Sequence, residues 1–474
     1  MFFQLLFHQG ALVSVFVLDR SGKPLMPCSE KRARKLLAGG RARVHRLFPF
    51  AIRIVDRRLE DSGLQPLRLA LDPGSKATGL AISRVAAPSL NGEGPVMHIR
   101  FLMELIHRGA QIRDLLTRRS NFRRRRRSAN LRHRAPRFLN RARPEGWLAP
   151  SLLHRVETCG AWVARLMALA PITDLAQELV RFDMQKMQSP DIEGVEYQRG
   201  TLCGFEVGEY LLAKWGRQCA YCDRENVPLE KDHIMARSKR GSDRVSNLAL
   251  ACRPCNQIKA AKPLREFLSK DPKRADRILA RAKAPLRDAA AVNSTRWALL
   301  GRLRQTALPV ETGSGGRTKF NRVRLGVPKT HALDAACVGV VGEVENSGIP
   351  VFQAKCMGRG TRSRTKLDRF GFPRASMMRG KTVHGFRTGD MVRAEVPAGK
   401  RKGTHAGRVA VRKTGSFNIQ KPDGSVAQGV SHKHCKVLAR GDGHAYSWAK
   451  AAPPTPSPAP INPNPQGGAA SSPA

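Results

Sequence analysis

The chain has 474 residues, 41% of them apolar, enough for about three domains with ordinary buried cores, which excludes a disordered tail or a mini-protein. Its 84 Lys and Arg against 37 Asp and Glu leave a formal charge of +47, a self-repulsion that a polyanion relieves, so nucleic acid is the expected partner. That excess also argues against an enzyme confined to small neutral metabolites.

Residues 1–14 are apolar without a basic start and read as an extension, not a signal peptide. A first unit then combines a strand at Val15–Leu18, a turn at Ser21 and Gly22, an Arg-rich helix from Lys31 stopped by Gly39 and Gly40, and one further strand. A second unit opens with a hairpin of buried strands, Leu67–Asp72 and Thr78–Ile82, turning at Pro73-Gly74-Ser75. Between Arg108 and Arg143 stand fourteen arginines and a single acid, Asp114. Helix breakers are nearly absent from Gly109 to Pro136, which predicts one long helix, polar nearly all round, lying along a partner. Arg119, Arg123, Arg124, Arg125, Arg126 and Arg127 are its expected phosphate contacts.

Leu152, Leu153, Val156, Val163 and Leu166 recur at helical spacing and lead to a strand ending near Glu178. Helical patterns return at Leu264–Leu268, Trp297–Leu303 and His331–Val340. From Gly385 to Tyr446, short alternating strands with glycine turns predict a small β-barrel. Residues 453–474, with eight prolines and no charge, predict a disordered tail. No apolar run approaches the ~20 residues that cross a bilayer, and six of the ten cysteines lie far apart, so no membrane and no secreted disulfide framework is expected. The expected compartment is the cytoplasm.

The four paired cysteines are Cys219, Cys222, Cys252 and Cys255, two C-x-x-C knuckles with 29 residues between them. Four thiolates at this spacing suit a structural, tetrahedral zinc; a redox pair is the weaker reading. Sulfur fills every position of such an ion, so any chemistry must come from the insert. There, Asp232 and His233 end a short strand, Asn247 follows, and Asn256 comes after the second knuckle. This layout resembles the HNH, or ββα-metal, nucleases. The resemblance implies that His233 is the general base, that Asp232 and Asn256 hold magnesium and that Asn247 orients the imidazole. The chemistry agrees, since a histidine with a pKa near neutrality suits proton abstraction from water and a hard cation prefers oxygen ligands.

A second constellation is spread along the chain. Asp72 ends a buried strand where an apolar residue is expected, Glu178 ends the run Ile172–Leu179, and His331 and Asp334 lie three apart on one helix face. Singly, each is an ordinary cap or ion-pair partner. Together they offer three carboxylates and an imidazole able to converge on two metal ions. The order of Val17-Leu18-Asp19 with Pro24-Leu25-Met26-Pro27, Leu71-Asp72-Pro73-Gly74-Ser75, the Arg-rich helix, Glu178-Leu179-Val180-Arg181-Phe182-Asp183, the cysteine-framed motif and Lys329-Thr330-His331-Ala332-Leu333-Asp334-Ala335-Ala336 resembles the IscB family from Val15 to about Tyr446. IscB proteins are transposon-encoded relatives of the type II CRISPR effector nuclease.

That resemblance implies a multidomain α/β protein with an RNase H-like RuvC core in three parts, at 61–107, 144–200 and 285–345. The core is split by an Arg-rich bridge helix at 108–143 and a zinc-stapled ββα HNH insertion at 201–284. A PLMP-type domain at 15–60, an RNA- and flanking-motif-interacting domain at 346–446 and a tail at 447–474 complete it. Also implied is a monomeric protein that binds a guide noncoding RNA and double-stranded target DNA with a flanking motif. HNH, through Asp232, His233, Asn247 and Asn256, would cut the guide-paired strand. RuvC, through Asp72, Glu178, His331 and Asp334, would cut the displaced one, with magnesium or manganese at both sites. Two rivals remain open at this level: a protein-guided endonuclease or resolvase of a mobile element, and a nonenzymatic RNA chaperone.

Overall fold

The computed structural model describes residues 14–88, 94–133, 147–179, 211–283 except 213 and 226, 287–358, 365–376 and 380–451 except 422. In chain order the elements are β1 (Ser14–Leu18), β2 (Pro24–Ser29), α1 (Glu30–Ala38), β3 (Ala42–Arg46) and β4 (Ala51–Ile54). Next come β5 (Leu67–Pro73), β6 (Ala77–Ala86), β7 (Val96–Ile106), α2 (Gly109–Ser128), α3 (Pro150–Met167) and β8 (Asp174–Glu178). β9 (Leu229–His233), β10 (Leu248–Cys252), α4 (Arg253–Lys259), α5 (Leu264–Phe267) and α6 (Pro272–Lys283) form a module of their own. α7 (Arg287–Arg304), β11 (Val310–Gly313), α8 (Gly315–Arg324), α9 (His331–Ala336), β12 (Glu343–Glu345) and β13 (Val351–Cys356) follow. The rest is strand: β14 (Thr365–Leu367), β15 (Pro373–Ser376), β16 (Thr382–Val383), β17 (Phe386–Arg387), β18 (Met391–Val396), β19 (Gly403–Ala410), β20 (Ser416–Gln420), β21 (Val426–Ser431), β22 (Cys435–Ala439) and β23 (His444–Ala449).

The first unit pairs four strands in the order β2-β1-β4-β3, two more than the apolar pattern suggests. Pro24 and Pro27 hide β2 from a periodicity reading; a proline cannot donate to a ladder and is tolerated because β2 lies at the sheet edge. α1 starts where the Ser29 hydroxyl accepts the Arg32 amide and stops at Gly39.

A mixed sheet is the centre of the molecule, ordered β11-β8-β5-β6-β7-β13-β23, with β12 also on β7. β5, β6 and β7 are antiparallel neighbours, whereas β8 lies parallel to β5 and β11 parallel to β8. Leu67, Leu69 and Leu71 face a core shared with Trp162 and Leu166 of α3 and with Leu299 and Leu303 of α7. On the other face Ala81 and Leu102 pack under Ala332, Leu333 and Ala336 of α9. Helices thus cover both faces, which is why these strands read as near-continuous apolar runs.

The boundary expected at residue 346 falls inside this sheet, since β13 pairs with β7 and β23 with β13. The separate C-terminal sheet is β21-β20-β19-β18-β22, all antiparallel, around Val392, Phe417, Ile419 and Val430. Among the described residues no ladder joins β21 to β22, so the expected barrel is not closed by pairing.

The Arg-rich helix α2 is one helix but ends at Ser128, before the expected limit at Pro136; Asn130, at φ 48°, breaks it. Its continuation from 134 to 143 lies outside the described residues, as do 1–13 of the expected extension and 452–474 of the expected tail; Ser14 and residues 447–449, assigned to those ends, belong to β1 and β23. Even Leu115 and Leu116 of its first turns are 49% and 40% exposed, in keeping with a helix polar nearly all round. What holds α2 near its C-terminus is the β14–β15 loop: the Arg125 guanidinium donates to the Arg369 carbonyl at 2.6 Å and Arg126 sits 5.0 Å over the Phe372 ring. α9 also ends early, at Ala336 instead of 340, as the chain turns through Gly339 at φ 84°.

Candidate active sites

The parallel register of β5 and β8 sets Leu71 beside Gln177, so the next residues, Asp72 and Glu178, emerge together at the carboxyl ends of adjacent strands. That edge is where α/β sheets place their ligand sites. α9 crosses it, begun by Thr330, whose hydroxyl accepts the Leu333 amide, and brings His331 and Asp334 to the same place. Two glycines allow the approach: a Cβ at residue 79 would stand 1.8 Å from the His331 carbonyl oxygen, and one at residue 74 would stand 2.9 Å from the His331 ring.

All four residues of the distributed constellation therefore gather at this edge within electrostatic reach of one another, with Asp72 and His331 in contact and each carboxylate with its own cation. The His331 Nδ1 is 2.6 Å from Asp72, Arg296 donates to Glu178 at 3.0 Å, and Arg322 stands 3.0 Å from Asp334. Arg296 also donates to the Pro73 carbonyl at 3.1 Å, locking the end of β5 to α7. Burial, with the Asp72 charge adding to it, pushes Glu178 up to about 7 and Asp334 up to about 6. Burial also opposes ionisation of Asp72, but the hydrogen bond and charge of His331 outweigh it and hold Asp72 below the usual carboxylate range. The same hydrogen bond raises His331 to about 9.

The cysteines also gather as expected. Their sulfurs all lie within 4.8 Å of one another, with Cys222 and Cys252 Sγ 3.6 Å apart, while Zn–S bonds of about 2.3 Å require an S–S edge of about 3.8 Å. The donor set fits zinc. Among the described residues this is the only group of three or more Cys, His, Asp or Glu so close, so no three members of the acidic cluster could share one ion at that spacing. Two ions about 3.5–4 Å apart would not require it.

Between the knuckles, β9 and β10 pair antiparallel with His233 opposite Leu248, and α4 follows. His233 holds its Nε2 2.6 Å from Asp243, which is also gripped by Arg237 at 2.6 Å. Hydrogen bonds from Arg237, and then from His233, keep the Asp243 carboxyl below its ordinary range. Asn247 does not orient the imidazole: its side chain accepts the Met235 amide at 2.9 Å and donates to the Met235 and Ser242 carbonyls, pinning the loop that carries Asp243. Nor do Asp232 and Asn256 form a ligand pair. Buried Asp232 accepts from the Tyr221 hydroxyl and lies 3.0 Å from the fully buried Lys259 ammonium, whereas Asn256 donates to Glu230 at 2.7 Å. A buried ammonium needs a carboxylate partner, and here that partner is Asp232.

Residues 15–200 match the family model of the RRXRR protein, and residues 219–262 match that of the HNH endonuclease. The chain carries an HNH endonuclease domain. No curated protein matches the chain. Among solved structures it is similar to Streptococcus thermophilus Cas9 in complex with the AGAA PAM, at 12% identity over 56% of this chain and 32% of that one, with a TM-score of 0.20. The complex with the GGAA PAM gives 13% identity, 59% and 33% coverage and 0.21. The type II-C Cas9 enzyme from Actinomyces naeslundii gives 16% identity, 44% and 29% coverage and 0.17. The chain spans about a third of the length of these proteins, and at such TM-scores the likeness carries no statement about its fold.

Within the HNH domain the sequence pattern finds the cysteines and His233 but misses Asp243, Lys259 and Glu230. At the sheet edge it misses Arg296 and Arg322. A signal for Asp243 existed, an acid within the loop that Asn247 closes. Arg296, 118 residues from Glu178, had none.

Proposed function

We propose that the protein is an RNA-guided DNA endonuclease of the IscB kind with two separate hydrolytic sites, the HNH domain and an RNase H-like, RuvC-type site at the sheet edge. The observation that carries this reading is the meeting of Asp72, Glu178, His331 and Asp334, drawn from three distant segments, in a chain that also holds an HNH domain. Arginines along α2 and the charge of +47 support a polyanionic guide, held by backbone shape more than by base contacts. HNH cutting of the guide-paired strand and sheet-edge cutting of the displaced strand belong to the same proposal.

At the sheet edge Asp72, Glu178 and Asp334 would hold magnesium or manganese, which stabilises charge on phosphate oxygens and activates water. His331, Arg296 and Arg322 keep the carboxylates in place and balanced. In the HNH domain His233 accepts the proton of the attacking water at Nδ1, because its Nε2 is committed to Asp243. Asp243 is thus a positioning residue. Asp243→Asn should slow HNH cutting ~10–100-fold, the usual cost of losing a partner behind a working histidine, and should change the pH–rate profile. An unchanged profile and rate would remove Asp243 from the mechanism.

The protonation states give a signed pH dependence. Below about 6 all of Glu178, Asp334 and His331 hold protons; above about 9 none does. A divalent cation competes with those protons, so its affinity for the sheet-edge site should climb from pH 6 to 9, with protons released into the buffer. Titration calorimetry in two buffers of different ionisation heat measures both, and a flat affinity across that window would contradict the assignment.

The whole proposal is tested by sequencing the RNA that co-purifies with the protein and supplying DNA complementary to it. Cleavage directed by that RNA is expected. Cutting of one fixed site by RNA-free protein would favour a protein-guided enzyme.

A further inference from the structure

Each carboxylate of the acidic cluster has a cation of its own from α7, α8 or α9, yet a further positive charge reaches all three from the cysteine-framed module. Arg217 belongs to the turn between Trp215 and Cys219, both part of that module's core. Its charge favours the ionised forms of Asp72, Glu178 and Asp334 alike. On Asp334 it acts more strongly than that of Arg322, whose Nε stands 3.0 Å from the carboxylate.

The turn is held from both sides. On the module's side the Arg281 guanidinium of α6 donates to the Lys214 carbonyl at 2.8 Å and lies 5.4 Å over the Trp215 ring. On the side of the sheet the Lys329 ammonium, two residues before His331, donates to the Gly216 carbonyl at 3.4 Å. Gly216 and Arg217 are both left-handed, with φ 68° and 58°, and the Arg217 amide donates to the Leu212 carbonyl at 2.9 Å. Glycine takes that conformation freely, whereas an arginine is held in it only by its surroundings, a strain that gathers at ligand sites. What it secures here is a half-buried guanidinium within reach of carboxylates that already have partners.

We propose that Arg217 is a further residue of the sheet-edge site, a built-in cation that competes with the divalent metal for the three carboxylates. The two charges of such an ion meet a third at an edge partly shielded from water, so the metal binds tightest when Arg217 is withdrawn. By linkage, an ion that fills the site weakens the hold of the turn, and a turn drawn away from α9 favours loading of the site. The inference rests on the cluster being a metal-binding hydrolytic site and adds what governs its loading.

Arg217→Gly removes the charge and suits the left-handed turn, so zinc content and the buried Trp215 fluorescence should stay at parental values. Manganese binding to the full chain, followed by electron paramagnetic resonance at pH 8, should then be ~10-fold tighter at the site that Asp72→Asn abolishes, and Arg217→Lys should restore the parental affinity. With RNA bound, the magnesium needed for half-maximal sheet-edge cutting should fall by the same factor. Manganese affinity unchanged or weakened in Arg217→Gly overturns the proposal. If Asp72→Asn binds manganese as the parent does, the cluster is no metal site and the hydrolytic reading itself fails. If Asp72→Asn loses the ion while Arg217→Gly matches the parent, only the role of Arg217 falls.

Discussion

On the proposed two-site reading, Asp72→Asn is expected to leave the protein folded and able to make only one of two cuts, with cleavage at the sheet edge down roughly 10³-fold or more. Asparagine matches the carboxylate in size, so the buried end of β5 keeps its packing. What goes is a negative charge at the point where Glu178, His331 and Asp334 meet. Asp72 is the first cause of the raised His331 pKa, so the imidazole should also lose its proton near neutrality. Supercoiled plasmid with a matching target should then yield nicked circles rather than linear DNA, with the surviving nick made by the HNH domain. Linear product at the parental rate would show that the acidic cluster does not cut.

Cys219→Ser should be nearly as severe, but elsewhere. The HNH domain has its own core, running from Leu211 to Ala282 and sharing no residue with the core of the central sheet. So small a core rarely supplies more than a few kcal/mol, whereas a structural zinc contributes an apparent ~10–16 kcal/mol, so losing one of four thiolates should unfold the domain alone. Trp215, 2% exposed with its indole N–H on the Leu248 carbonyl at 3.2 Å, reports the event through red-shifted fluorescence. Zinc content should fall from one per chain to near none while RNA binding and sheet-edge cutting continue. A variant that keeps both its zinc and the buried Trp215 signal would refute the structural role of the knuckles.

Local signals were the readable ones. The cysteine knuckles, the glycine stop of α1 at Gly39 and the hairpin around Gly74 each depend on a few consecutive residues, and the structure has them where the pattern places them. Asp72 and Glu178 were legible because a carboxylate at the end of an apolar strand is conspicuous. Their counterions were not, because Arg296 and Arg322 look like any other arginine in a chain with so many. β13 and β23 were assigned to the wrong unit for a related reason: alternation shows that a segment is a strand but not which sheet it joins. Asn247 bonds Met235 and Ser242 and not the imidazole, because sequence order does not say that its amide closes a loop.

Asp72 and His331 touch across 259 residues of chain, and β8 and its parallel neighbour β11 are separated by the whole HNH domain. During synthesis, the ribosome must add 153 residues after Glu178 before His331 exists (331 minus 178), on the order of ten seconds at typical elongation rates. The cysteine-framed module in between, with its core from Leu211 to Ala282, is synthesised entirely within that interval. On the proposed reading a nascent chain therefore completes its two sites one after the other, and any polypeptide terminated before the last segment emerges lacks His331 and Asp334 of the sheet-edge cluster.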